Sequence, residues 1–214
     1  MRMLVVWLAV VSMAGCEGIG GGERGSGVAK TEVREVAPFS KIALEGSLRA
    51  EITAGAAQHV ELSGDDNLLP LMTTEVEGQQ LRIAPKKSIR PKLEMVATIA
   101  TPKLVAVSAS GSTVIALHGL AGDTFDLDTS GSSKVTASGT TGSLAIRVSG
   151  SGSVDTRALH AKSVEVVISG SGDVEVYATD ALDVTISGSG RVRYAGNPGN
   201  VHKSISGSGS LEPL

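Results

Sequence analysis

One cysteine, Cys16, stands in 214 residues, so the chain cannot close a disulfide on itself. Aromatic residues make up only 2% of it: Trp7, Phe39, Phe125, Tyr177 and Tyr194. So few rings argue against an extended glycan groove, which relies on aromatic platforms. No sign of charge dominates, since 19 basic residues face 22 acidic ones. Nucleic acid needs a basic face and is not an expected partner. The apolar run from Leu4 to Val11 has eight residues, too few to span a bilayer.

What the chain does have is glycine and β-branched residues. There are 27 glycines, and Val, Ile, Leu and Ala supply nearly all of the 41% hydrophobic content. That mixture suits many short strands joined by tight turns. The phrase VSGSGSV from Val148 returns as ISGSGDV from Ile168, ISGSGRV from Ile186 and ISGSGSL from Ile205. The first glycine of each copy is Gly111, Gly131, Gly150, Gly170, Gly188 or Gly207, at spacings of 20, 19, 20, 18 and 19. A fixed period of this size marks stacked repeats.

Each unit reads as two alternating runs separated by a turn. The second runs are Leu144, Ile146, Val148; then Val164, Val166, Ile168; then Leu182, Val184, Ile186. Period-2 spacing puts each trio on one face of a strand. A lone unit cannot bury that face, but stacked units can, at about 4.8 Å per strand. The expected fold is all-β, a parallel β-solenoid with one coil of about 19 residues per repeat. Glycine at each corner supplies backbone angles that a Cβ forbids, and serine is small enough to stack there. Gly-rich turns can also hold anions, but six copies between strands look architectural. An RTX-like calcium ladder would need an Asp in each turn; only Asp173 follows the phrase, with Ser153, Arg191 and Ser210 in the equivalent places.

The two ends differ. Lys203 takes the place of Val184 in the last coil, and Pro213 cannot donate to a ladder, so this coil reads as a cap. From Thr31 to Thr101 the alternating runs lose their period and read as extra or irregular coils of the same domain. Asp66 is placed to cap a short helical turn through Leu71.

The opening MRMLVVWLAVVSMAGC has the layout of a secretory signal. It also resembles a bacterial lipobox, with Met13 where Leu is commoner. The resemblance implies cleavage before Cys16 and a diacylglycerol on its sulfur; the other reading is an ordinary signal with an incidental cysteine. By the sorting rule of Gram-negative lipoproteins, Glu17 after the cysteine implies the outer membrane. Residues 1–15 are thus the signal peptide, 16–30 a Gly-rich flexible tether, and 31–214 the solenoid domain.

Candidate chemistry is thin. His59, His118, His160 and His202 lack metal-ligand spacing. Serines abound only in the corner phrase, without the placement a nucleophile needs. Asp65 and Asp66 are the best paired carboxylates, but adjacent acids in a loop usually make a turn or a cap. Outward Arg147, Glu165 and Asp183 are expected to form a charge ladder across three coils. Phe125 and Tyr194 fall on the inward pattern, leaving Tyr177 as the exposed ring. Lys86, Lys87, Arg90 and Lys92 make a basic loop, PKKSIRPK, able to touch anionic lipid or polysaccharide. No catalytic residue, cofactor or metal site is assigned.

The entry segment VAPFSKIALEGSLRAEI, the stretch VELSGDDNLLPLMTTEVEGQQLRI and the serial SGSG strands together resemble one family. It is the bacterial "putative auto-transporter adhesin, head GIN domain" family, a domain of unknown function. The resemblance covers about Val33 to Leu211 and implies a right-handed β-helix in a cell-envelope protein. The expected function is a non-enzymatic scaffold, held in the membrane by lipid on Cys16, that binds an envelope glycan or protein through its faces. A carbohydrate-active β-helix enzyme and an envelope-signalling accessory acting through PKKSIRPK are the alternatives.

Overall fold

The computed structural model describes residues 21–214. Cys16 and the signal segment lie outside them. Seventeen strands follow in chain order. The irregular first part holds β1 (Glu23–Arg24), β2 (Ala29–Val33), β3 (Lys41–Gly46), β4 (Arg49–Ala54), β5 (His59–Asp65), β6 (Met72–Glu77), β7 (Gln80–Pro85), β8 (Ile89–Arg90) and β9 (Val96–Thr101). The regular part holds β10 (Ala106–Gly111), β11 (Val114–Gly131), β12 (Lys134–Gly150), β13 (Ser153–Gly170), β14 (Asp173–Gly188), β15 (Arg191–Ala195), β16 (Asn200–Gly207) and β17 (Ser210–Pro213).

The regular part is a parallel β-solenoid of about five turns. Identical periods bring identical residues into line: Val148 pairs with Ile168, Ile168 with Ile186, and Ile186 with Ile205. Ile146, Val166 and Val184 form the next column, with Lys203 at its end. On the opposite face Val135, Val154, Val174, Val192 and Leu211 stack likewise. The inward columns are buried except in the last coil. Each aliphatic side chain taken out of water contributes about 1.5–3 kcal/mol, and the sum of the columns holds the coils together.

Two strands per coil were expected; β11 to β14 each run unbroken through both faces. The second corner is a bend inside the ladder, marked by register shifts at Leu117/Leu120, Thr136/Ser138 and Thr156/His160. Without a Gly-Ser-Gly phrase there, the chain never has to leave the ladder to turn.

The first part is a stack built out of order. Strands β3 and β4 form one coil, with β3 beneath β10 and β4 beneath β11. The chain then drops a level. Strand β7 pairs with β3, and β9 pairs with β4, giving a lower coil. Three antiparallel pairings close it: β6 on β7, β5 on β9, and β2 on β5. Buried Leu62, Leu68, Leu69, Leu81, Ile83 and Ile99 fill this end.

Candidate functional site

The corner glycines form a continuous ridge. Gly111, Gly131, Gly150, Gly170, Gly188 and Gly207 pair in sequence and all have positive φ. At Gly170, φ is 126° and a Cβ would sit 2.6 Å from the carbonyl oxygen of Gly150. Both the angle and the space therefore demand glycine. The amide of each following serine donates to the glycine one coil below, as Ser171 does to Gly150 at 2.9 Å. The serines before the glycines, Ser110, Ser130, Ser149, Ser169, Ser187 and Ser206, pair into a row beside the ridge.

Sequence reasoning missed a seventh member of the ridge. Gly46 pairs with Gly111 and has φ of 97°. Its phrase, Glu45-Gly46-Ser47-Leu48, is only half of the repeat, and the inserted β5–β9 segment separates it from the next copy. One level lower, the loop between β7 and β9 takes the place of the ridge. That loop is PKKSIRPK.

The paired acids bind backbone and side-chain donors of the leading segment and do not cap the turn that follows. Asp65 is fully buried and accepts backbone N–H bonds from Gly27 at 2.6 Å, Lys92 at 2.9 Å and Leu93 at 3.0 Å. Burial pushes its carboxyl up, but those three donors and the Lys92 charge prevail and hold it below the usual carboxylate range. The turn that Asp66 was expected to cap is a 3-10 turn, Leu69–Leu71, with Leu68 at its N-cap and no side-chain cap bond. Asp66 accepts a hydrogen bond from the Ser26 hydroxyl instead. Asn67 completes the clamp: its amide donates to the Arg24 carbonyl, and its oxygen accepts from the Ser26 amide, both at 2.8 Å.

The object clamped is the segment read from sequence as part of the tether. Strand β1 pairs with β8 in parallel, the Glu23 amide donates to the Ser88 carbonyl, and the Gly25 amide to that of Arg90. Strand β2 then extends the antiparallel cap. Flexible glycines suggest a tether, but the Asp65-Asp66-Asn67 loop supplies the donors and acceptors that fix this backbone.

The basic loop is therefore bound on one side and open on the other. Lys86, Lys87, Arg90 and Lys92 are exposed, with Arg24 beside them. Lys87 pairs with Glu23 at 3.0 Å, and the Lys92 ammonium donates to the Ser26 carbonyl at 3.2 Å.

The expected charge ladder does not form. Glu165 pairs with Ala145 and Asp183, while Arg147 pairs with Asp128 and Val167. The reason is distance from the corner: Arg147 is three residues before Gly150, and Glu165 is five before Gly170. Arg147 instead approaches Asp128 at 3.9 Å. The densest charge cluster lies on the other face, in a shallow hollow of about 350 Å³. In its lining Arg193 bonds Glu175 and Arg191 lies 3.9 Å from Asp173, while Arg157 bonds its Asp155 and Glu175. The Arg157 hydrogen bond holds Asp155 below the ordinary carboxylate range, against partial burial.

The histidines stand apart. His59 lies 3.8 Å from Glu61, His118 lies 3.9 Å from Glu51, and His202 is exposed on β16. His160 stacks on half-buried Tyr177, with ring centroids 4.2 Å apart. Phe125 is buried and Tyr194 packs against the core. Among the described residues, no three His, Cys, Asp or Glu side chains gather into a set able to hold a metal ion. No helix among them is long and apolar enough to cross a membrane.

Comparison with known proteins follows the same lines. A family model described as "Putative auto-transporter adhesin, head GIN domain" matches residues 38–198. A "putative adhesin" from Bacteroides fragilis NCTC 9343 is 24% identical, with a TM-score of 0.72 over 90% of this chain and 100% of that one. A "Putative lipid binding protein" from Parabacteroides distasonis ATCC 8503 is 23% identical, with a TM-score of 0.63 over 91% and 100%. A "putative adhesin" from Parabacteroides merdae ATCC 43184 is 21% identical, with a TM-score of 0.61 over 89% and 98%. At these identities the likeness is one of fold. No curated protein matches the chain.

Proposed function

The chain belongs to the "Putative auto-transporter adhesin, head GIN domain" family, and from that premise we propose that it is a non-enzymatic scaffold of the cell envelope. It is held in the outer membrane by lipid on Cys16 and binds an envelope glycan or protein through its sheet faces. One observation carries the reading: the regular coils present a repeated row of small polar side chains along their length. The serine row beside the ridge is unbroken over six strands. The carboxylates Asp155 and Glu175 of the charged hollow each bond an arginine. Asp155, held ionised by Arg157, is poorly placed to act as a general acid at neutral pH. A surface of this kind suits binding along its length better than turnover at a point.

The test is binding of the full chain to envelope glycans, matrix proteins and whole cells. Saturable binding without turnover supports the reading, whereas glycan cleavage, or binding to nothing, overturns it. Lipid attachment is tested separately, by the intact mass of the membrane-extracted protein and by its loss from membranes on Cys16→Ser.

A further inference from the structure

One corner of the lower end carries a run of positive charge that the coils above it do not. Ala84 to Lys92 hold four basic residues and no acidic one, while the coils from Ala106 to Leu214 hold seven basic against ten acidic. The basic residues occupy the corner loop of the lowest coil, where the Ser-Gly ridge would otherwise continue. Arg24 joins them from β1. Two exposed acids, or partly exposed ones, lie among them: Glu23 pairs with Lys87, and Asp66 bonds Ser26. Asp65 is turned inward. The cluster is positive after both are counted, and Val28, 58% exposed, lies next to it in the clamped segment.

The second observation is where the chain comes from. Gly22 packs against Ser88, so closely that a Cβ there would meet its hydroxyl at 2.6 Å. Five residue-to-residue steps lead from Cys16 to Gly21, at most about 18 Å when fully extended. An anchor at Cys16 thus keeps the end of the stack that carries the basic loop close to the lipid headgroups.

We propose that the PKKSIRPK loop, with Arg24, docks on the anionic phosphates of the lipid surface and stands the solenoid upright on the membrane. This rests on the lipid attachment proposed above. Acyl chains fix where the protein is but not how it is oriented. A basic patch within a Debye length of about 10 Å of an anionic surface supplies the orientation. The acidic coils are repelled from that surface and point away, leaving the serine row and the far end free for a partner.

The test uses the full chain reconstituted into vesicles of phosphatidylcholine, with or without phosphatidylglycerol. A water-soluble amine-acylating reagent labels the lysines, and mass spectrometry reads each rate. Lys86, Lys87 and Lys92 are expected to react about tenfold more slowly in the anionic vesicles than in the neutral ones, and high salt is expected to erase the difference. Lys134, Lys162 and Lys203 are expected to react alike in both. Equal rates for the loop lysines in the two vesicles, or equal protection of the coil lysines, overturn the proposal. The intact mass of the same sample reports acylation at Cys16 independently, so a free thiol sinks the anchor, and unprotected loop lysines on an acylated chain sink only the docking.

Discussion

The two ends of the stack solve the same problem in opposite ways. Every open solenoid ends in strands with unpaired backbone groups. At the lower end the chain returns on itself, lays β6, β5 and β2 antiparallel over the last coil, and clamps its own leading segment with Asp65, Asp66 and Asn67. At the upper end no described residue folds back over the last strand. Strand β16 pairs with β14 alone, every residue of it is exposed, and Val201 and Ile205 are 45% and 37% exposed although they continue buried columns. Only Lys203, in the Val184 column, and Pro213 guard that edge. One end is closed by hydrogen bonds and the other by charge, so the first should be costly to damage and the second cheap.

The largest effect is expected between the ends, where both depend on the coils. Gly170→Val places a Cβ against the Gly150 carbonyl at a φ of 126°. It should lower the unfolding free energy by upwards of about 3 kcal/mol in urea titration. Next comes the same truncation made at each end. Ile99→Ala, in the 1% exposed lower core, should cost about 2–3 kcal/mol, whereas Ile205→Ala should cost under about 0.5 kcal/mol. Equal costs would erase the asymmetry.

Acid sharpens the contrast further. The carboxyl of Asp65 is held below its ordinary value, so its contribution is complete above the unfolded carboxylate value of about 4 and is lost as pH falls from there through the lower folded value. Protection of the Gly27, Lys92 and Leu93 amides, measured against the intrinsic exchange rate at each pH, should therefore fall on acidification below about pH 4. In Asp65→Asn it should already be low at neutral pH and change little in that window. The smallest effect on stability, with the clearest effect on association, is expected for Lys203→Val. The melting temperature should barely move, but sedimentation should detect self-association through the unguarded edge, while Lys86→Val at the closed end should leave the chain no more associated than before.

What the sequence revealed followed from the glycine count. A corner every nineteen residues or so fixes the register, and Ile168 against Ile186 and Lys203 against Val184 fall out of it. The same rule, applied strictly, places Arg147 level with Val167 and removes the ladder expected with Glu165. Alternation gives the face of a strand, but only the distance from the corner gives its neighbour. The lower end was not legible by this route. Its coil is split, with Gly46 far from Gly111 in sequence, and its closure uses antiparallel pairs that carry no period. The clamp was hidden for a different reason. A glycine-rich segment looks free until one knows which carboxylate sits beneath it, and Asp65 reads in isolation as a turn residue.

The most direct measurement is amide exchange along the whole chain at neutral pH. Residues 23–33 and β9 should be protected together, to within about tenfold, while β16 and β17 exchange orders of magnitude faster than β13. Free-peptide rates for residues 23–33, or protection of β16 equal to that of β13, would contradict a stack moored and closed at one end and open at the other.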